Sequence, residues 1–177
     1  MQTLLPILST ATPEFALAWQ LYEEAFPPEE RRSLVQQTSL LTNPRYQLFA
    51  LEHQHAFAGL LCLWQLPGFT FLEHFAVLQH LRGQGVGAAV LQAFLTSSEE
   101  PVILETEPPT TQIAARRIRF YERAGFHLNQ FDYWQPPYSP QKPWVELRLM
   151  SYPRALEAGV LEKVKRQVYQ HVYGVDL

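Results

Sequence analysis

The chain has 177 residues, of which 47% are hydrophobic and 18% are charged, and its formal net charge is -3. These values predict one domain, or one domain with a small appendage, and they exclude a disordered or collagen-like chain. The slight negative charge argues against a broad electrostatic nucleic-acid binder. Cys62 is the single cysteine, which excludes an internal disulfide framework and a multi-cysteine zinc site.

The first part of the chain predicts an edge strand, a helix and a strand meander. Pro6 cannot donate to a ladder, so its strand belongs at a sheet edge. Thr12 is expected to cap a helix that has Pro13 at its first position. From Tyr46 onward polar and apolar residues alternate, which is typical of strands joined by short turns. In chain order, the predicted elements are an edge strand over 3–8, a helix from residue 13, a short helix or loop from residue 29, and strands from residue 46, over 56–65 and over 69–77.

The second part alternates helices with strands after a glycine-rich turn. Gly125 is expected to end one of these helices in the left-handed capping conformation. The predicted elements are a helix after the turn, a strand over 102–107, a helix over 112–124, strands over 126–134 and 144–150, and a helix after Pro153. Val86, Val90, Ala93 and Phe94 are expected on one side of the first helix, and the helical pattern of the last rests on Val160, Val164, Val168 and Val172 at four-residue steps. This order predicts an α+β fold around one mixed sheet.

The glycine-rich turn is the most informative segment. Gly83, Gly85 and Gly87 lie between a predicted strand and an amphipathic helix. A helix start leaves backbone N–H groups without partners, and glycines allow positive φ and close approach of a ligand. Arg82 adds a cation beside these groups. The turn therefore predicts a site for a phosphate or diphosphate rather than a simple tight connection.

Two phosphate-binding folds fit such a turn. Gly83-x-Gly85-x-x-Ala88 matches the dinucleotide fingerprint, and Glu105 or Glu107 lies near the expected ribose-binding position. A dinucleotide fold should begin with this unit and continue with alternating parallel strands. Three meander strands precede the turn here, so the element order disfavours that interpretation.

Two motifs resemble the GNAT superfamily of N-acetyltransferases. The run Arg82-x-x-Gly85-x-Gly87-Ala88 is similar to the diphosphate loop of that superfamily. The segment from Phe120 to Phe126 is similar to its aromatic-Tyr-Glu-basic-x-Gly-Phe motif, at the usual separation. The resemblance implies a mixed sheet that is splayed in the middle and flanked by helices, with an acyl-CoA in the splay. It covers residues 1–151, and residues 152–177 are expected to form a helical extension on the same domain.

The resemblance also implies acetyl-CoA as co-substrate and assigns residues to it. Phe75, Ala76 and Val77, at the end of the preceding strand, would meet the pantetheine arm and acetyl carbonyl, with the N–H of Val77 as the oxyanion donor. The residues expected to bind the diphosphate are Arg82, Gly83, Gln84, Gly85, Val86, Gly87 and Ala88.

Tyr121 matches the family tyrosine that is placed near the CoA sulfur and proposed to protonate it. The alternative is a packed aromatic residue on the helix face. Glu73 is the first candidate for the base, because a carboxylate among phenylalanines would be desolvated and its pKa raised. The alternative for Glu73 is a salt-bridged strand carboxylate, and Glu105 or a water chain are the other candidate bases. His74 faces the other way and is expected to be a packing or surface residue.

The acceptor is expected to be a small-molecule amine or a peptide amine. By position in the family fold, Glu23, Phe26 and Tyr138 are the predicted acceptor-binding residues, since carboxylates and aromatics suit a cation. We predict no metal, nucleic-acid or membrane partner, and a cytoplasmic location. The C-terminal helix either covers a sheet edge or forms a homodimer contact. The alternative functions are a non-catalytic acyl-CoA-binding module and a dinucleotide-binding protein.

Overall fold

The fold is described by a computed structural model that covers residues 2–176. The strands are β1 (Gln2–Pro6), β2 (Tyr46–His53), β3 (Ala56–Leu66), β4 (Phe69–Val77), β5 (Val102–Thr106), β6 (His127–Leu128), β7 (Tyr133–Gln135) and β8 (Val145–Tyr152). The helices are α1 (Pro13–Ala25), α2 (Leu34–Leu40), α3 (Val86–Ser97), α4 (Gln112–Arg123) and α5 (Ala158–Val168). Short 3-10 turns lie at Pro28–Glu30 and Gln79–Leu81, and a π-helical turn at Tyr169–Tyr173 follows α5.

The strands form one open, mostly antiparallel sheet. Their order is β1-β2-β3-β4-β5-β8-β6, and β7 pairs with β8. β1 pairs only with β2 in this order, which agrees with the edge position predicted from Pro6. The predicted α+β class is confirmed. Within the described residues, no helix is both long enough and apolar enough to cross a bilayer.

The chain divides into two compact units. The first unit contains the residues up to Trp64 together with Leu72–Ser97. The second contains Gln65–Phe71 and the residues from Ser98 onward. The predicted boundary at residue 151 stays a prediction.

Local signals explain the elements of the first unit. The Thr12 hydroxyl accepts a hydrogen bond from the Phe15 amide at 3.3 Å, so α1 begins as predicted. Gln54 and His55 have φ values of 52° and 64°, the conformation of a two-residue hairpin turn between β2 and β3. β3 is buried from Ala58 to Trp64, which accounts for its almost continuous apolar sequence.

In the second unit, the strand predicted over 126–134 is wrong. The structure has two short strands there, β6 and β7, separated by residues 129–132, which belong to neither. The buried Asn129 side chain donates to the Leu149 carbonyl at 3.1 Å and accepts from the Leu156 amide at 2.9 Å. The Asn129 amide still donates to the Leu149 carbonyl at 3.0 Å, and the side-chain bonds tie the same residue to the segment after β8, where the strand ends.

The buried faces of two helices differ in part from the apolar positions singled out in the sequence. In α3, Ala93 is exposed, and the buried residues are Val86, Val90, Leu91, Phe94 and Leu95. In α5, Val160 is 42% exposed, whereas Leu161, Val164 and Val168 are buried. In α5 the strict step of four residues drifts away from the helical stripe because the helix repeats every 3.6 residues, which leaves Val160 off the buried face.

Candidate functional site

The glycine-rich turn joins the end of β4 to α3 within the first unit. Gly83 and Gly85 have φ values of 77° and 80°, in the left-handed region. A Cβ atom added at either position would meet nothing within 4 Å. Glycine is therefore required there by the backbone conformation and not by crowding, and the space beside both residues is open.

The turn leads directly into the first turn of α3. The Ala89 amide donates to the Gly85 carbonyl at 3.0 Å, so the amides of residues 86–88 precede the first helical hydrogen bond. Gly87 lies inside α3 and does not have a positive φ, so the expectation of a special conformation at all three glycines is wrong for it. Open space and clustered N–H groups fit an oxyanion such as a diphosphate.

Arg82 is held beside this turn by the preceding strand. Its Nε donates to the Val77 carbonyl at 3.0 Å, which orients the guanidinium. Gln84 also stabilises the turn, because its Nε2 donates to the His80 carbonyl at 2.6 Å. Arg82, Gly83, Gln84, Gly85 and Ala88 are exposed, whereas Val86 is buried. The predicted diphosphate residues thus form one accessible turn anchored by a single apolar side chain.

The end of β4 contains the residues predicted to meet the pantetheine arm. Ala76 is buried, and Phe75 and Val77 are half-buried. A Cβ atom on Gly59 of β3 would lie 2.2 Å from the Ala76 carbonyl oxygen, so glycine is needed where these strands approach. The Leu78 amide donates to the Ala58 carbonyl at 2.9 Å. The role of the Val77 N–H as an oxyanion donor stays a prediction.

Glu73 of β4 lies in a buried ion pair. Its side chain is 0% exposed, and one carboxylate oxygen lies 2.6 Å from Nη1 of Arg32. The other oxygen accepts from Nε1 of Trp64 at 2.8 Å and lies 3.7 Å from Nδ1 of His74. Burial alone would raise the pKa of Glu73, but the Arg32 guanidinium, with His74 and Trp64, outweighs burial and lowers the pKa to about 2.

The expectation of a raised pKa for Glu73 is therefore wrong. That expectation rested on the phenylalanines near Glu73 in β4, whereas Arg32 lies far away in the sequence. Ser33 beside it caps α2 through a hydrogen bond to the Gln36 amide, and no local motif marks Arg32 itself. The salt-bridged strand carboxylate, the alternative interpretation of Glu73, is the arrangement that the structure shows.

His74 is a packing residue, one of the two alternatives predicted for it. Its Nε2 lies 2.9 Å from the Glu30 carbonyl oxygen, and its ring contacts Phe26 edge-on with centroids 4.5 Å apart. Phe26, predicted to bind the acceptor, is half-buried in this contact. Glu23, predicted beside it, is exposed, and its carbonyl accepts a hydrogen bond from Arg31.

Tyr121 is buried in the second unit, with 7% of its surface exposed. Its ring contacts Phe120 and Phe126 at centroid distances of 5.2 and 5.6 Å. Burial raises the pKa of Tyr121 to about 12, although Arg117 lowers it in part. The hydroxyl is consequently protonated at neutral pH, as a proton donor must be.

Glu105 of β5 receives two tyrosine hydroxyls, also in the second unit. Tyr133 donates to Oε1, and Tyr173 donates to Oε2 at 2.7 Å. Burial, followed by the negative charge of Glu105, raises the pKa of Tyr133 well above its usual value, so Tyr133 remains a donor. Tyr138, a predicted acceptor-binding residue, packs on Tyr173 with ring centroids 5.0 Å apart. Glu105 and Tyr138 were predicted site residues, whereas no pattern in the sequence marked Tyr173.

Comparison with known proteins gives consistent matches. A sequence model of the Acetyltransferase (GNAT) family matches residues 14–126. The Bacillus subtilis (strain 168) protein named "Putative acetyltransferase YjbC" is 26% identical over 159 residues, which cover 88% of this chain and 80% of that protein. The solved structure named "Putative acetyltransferase from GNAT family", from Bacteroides thetaiotaomicron, is 30% identical with a TM-score of 0.92, covering 98% of this chain and 99% of that one.

A more distant structure carries a ligand. The GNAT family acetyltransferase from Elizabethkingia anophelis, solved with acetyl-CoA bound, has a TM-score of 0.59 and 15% identity. The match covers 85% of this chain and 96% of that one. At this identity the likeness shows a shared fold.

Proposed function

Because the chain belongs to the acetyltransferase (GNAT) family, we propose that it transfers the acetyl group of acetyl-CoA to a primary amine. The transfer is direct, in a ternary complex with both substrates. The observation that carries this proposal is the open, left-handed turn at Gly83 and Gly85, followed at once by the start of α3. The neighbour solved with acetyl-CoA supports the choice of donor.

The turn is assigned the diphosphate of acetyl-CoA. The amides of Val86, Gly87 and Ala88 supply N–H donors, and the positive end of the α3 dipole attracts the anion. Arg82 adds a full positive charge, and its bond to the Val77 carbonyl limits the orientations of the guanidinium. Together these groups bind the donor without contributing to bond cleavage.

The reaction needs a proton balance as well as binding. The acceptor begins as an ammonium ion and loses one proton before its nitrogen attacks the thioester carbonyl carbon. A C–N bond forms, the C–S bond breaks, and CoA leaves as a thiolate. The nitrogen loses a second proton as the amide forms. One of the two protons ends on the CoA thiol, and the other passes to solvent.

Tyr121 is proposed to donate its hydroxyl proton to the departing sulfur. The proton that the acceptor ammonium releases then reprotonates the Tyr121 hydroxyl. We do not assign Glu73 as the base, because a carboxylate with a pKa of about 2 holds a proton poorly at neutral pH. Water is the remaining route for the ammonium proton, because both oxygens of Glu105 already accept hydrogen bonds from tyrosine hydroxyls. This assignment needs no side chain of the buried ion pair.

The experiment measures CoA release with a thiol reagent, using acetyl-CoA and a panel of primary amines. Thermal melting with acetyl-CoA alone is the binding control, because ligand at one hundred times its Kd adds about 2.7 kcal/mol of stability. We expect a melting shift with acetyl-CoA and CoA release with at least one amine. A shift without release from any amine would favour a non-catalytic binding module, and a shift only with NAD would overturn the proposal.

A further inference from the structure

The C-terminal extension reaches a carboxylate in β5. Tyr173 lies in the π-helical turn that follows α5, outside residues 14–126 that match the family. Its hydroxyl donates to Oε2 of Glu105 at 2.7 Å, across 68 residues of sequence. Glu105 and Tyr173 are both half-buried, so solvent reaches the pair.

Both oxygens of Glu105 are therefore held by hydroxyl donors. Tyr133 is fully buried and fixes Oε1 from β7, while Tyr173 fixes Oε2. Hydrogen bonds of this kind stabilise a carboxylate in its ionised form and restrict its rotamers. A carboxylate held in this way is better suited to binding a cation than to removing a proton.

Further aromatic rings pack on the two tyrosines that hold this carboxylate. Tyr138 packs against Tyr173 with ring centroids 5.0 Å apart, and Tyr133 packs against Tyr169 with centroids 5.8 Å apart. An ammonium group is attracted both to a carboxylate and to the face of an aromatic ring. The combination points to a cationic amine as the ligand of this cluster.

We propose that Glu105 and Tyr138 bind the ammonium group of the acceptor, and that Tyr173 is a positioning residue that holds Glu105 for this contact. The inference rests on the proposed acetyl transfer to an amine, because it identifies the acceptor as cationic. It also gives the C-terminal extension a role in acceptor binding. The alternative, in which Tyr173 only anchors the extension, makes a different prediction for its hydroxyl.

The extension offers a matched control. Tyr169 lies one turn earlier, and its hydroxyl donates to the Trp134 carbonyl instead of to Glu105. Tyr169→Phe and Tyr173→Phe each remove one hydroxyl from the same π-helical turn. A purely anchoring role would make their effects on stability and on ligand binding similar.

The test follows the carboxyl carbon of Glu105 by NMR in protein labelled with 13C at glutamate side chains, with Glu105→Gln for assignment. The probes are spermidine, tyramine and an alanyl peptide amide, added in the presence of CoA, and 1,4-butanediol is the uncharged control. We expect at least one amine to shift the Glu105 resonance, and butanediol to leave it unchanged. In Tyr173→Phe the Kd of that amine should rise roughly tenfold, as for a lost hydrogen bond to a charged group, and Tyr169→Phe should stay within about twofold of wild type.

The outcomes separate this inference from the proposed function. If no amine shifts the resonance, or if both variants bind the amine alike, the ammonium site is wrong even when CoA is released. If the resonance shifts but no amine releases CoA, the site stands and the proposed transfer fails. With an active amine, Tyr173→Phe should raise KM with little change in kcat, the result expected when uniform binding is lost.

Discussion

Two strand glutamates, one in each compact unit, have opposite kinds of partner. Glu73 in the first unit is buried against the guanidinium of Arg32, which cancels its charge. Glu105 in the second unit is half-buried and accepts hydrogen bonds from the neutral hydroxyls of Tyr133 and Tyr173. A hydroxyl donor stabilises a carboxylate without neutralising it. Glu73 is thus paired with a full positive charge, whereas the two tyrosine donors of Glu105 carry none.

The surroundings of Glu73 support this distinction. Besides Arg32, the Glu73 carboxylate contacts the indole of Trp64 and the ring of His74. The Arg32 amide adds a bond to the Tyr22 hydroxyl at 2.8 Å, which joins α1 to the segment before α2. Changes near Glu73 should therefore affect stability first, and changes near Glu105 should affect acceptor binding first.

The largest expected effect comes from breaking the buried ion pair. Arg32→Met leaves the Glu73 carboxylate buried without its guanidinium, and we expect the free energy of unfolding to fall by about 3–5 kcal/mol. Urea denaturation measures the change. The double variant Arg32→Met with Glu73→Gln should recover much of the loss because no charge then remains buried. Arg31→Met is the control, because the hydrogen bond that Arg31 donates to the Glu23 carbonyl is exposed to solvent. A loss below about 1 kcal/mol in Arg32→Met would contradict a tight ion pair.

Acid should remove the same stabilisation more gradually. The pKa of Glu73 is lowered in the folded protein from 4.5 to about 2, so its contribution is present above the unfolded pKa and is lost as the pH falls toward 2. Wild type should lose on the order of 3 kcal/mol more than Glu73→Gln between about pH 5 and pH 2. Urea midpoints at a series of pH values test this. If the midpoints of wild type and Glu73→Gln fell in parallel with pH, the lowered pKa of Glu73 would be refuted.

Tyr121 and Glu73 are both buried, and only the tyrosine is expected to exchange a proton with substrate. Tyr121→Phe should lower kcat by about 10²-fold, the usual contribution of a general acid, with unchanged affinity for acetyl-CoA. Steady-state kinetics with the active amine measure this effect. Glu73→Gln, if folded, should retain a kcat within about threefold of wild type. Equal losses of kcat in the two variants would contradict the proposal that Tyr121, and not Glu73, exchanges a proton with the substrate.

The smallest effect is expected at the turn. Gly85→Ala places a side chain at a φ of 80°, where alanine is strained by about 1 kcal/mol although the space is open. We expect the Kd of acetyl-CoA to rise several-fold in calorimetry, because the turn must shift to relieve the strain. Gly159→Ala is the matched control, since that glycine also has open space but no positive φ. Similar affinities for both variants would show that the turn does not bind the diphosphate.

Short-range patterns in the sequence predicted most of the local structure. The Thr12 cap, the meander strands and the left-handed Gly125 all depend on residues within a few positions of one another, and each is present. In α5 the four-residue step of the valines only approximates the buried face, because it drifts from the helical repeat of 3.6 residues. The interruption at Asn129 was missed because its partners, Leu149 and Leu156, lie in a later part of the chain.

The sequence by itself determined the family motifs, the glycine-rich turn and the candidate residues in it, because each rests on fixed spacing along the backbone. Tertiary structure alone decided the state of the two glutamates. Arg32 reaches Glu73, and Tyr173 reaches Glu105, only after distant segments have packed together. The charge that a carboxylate presents depends on the partners beside it in space, and no local spacing encodes those partners.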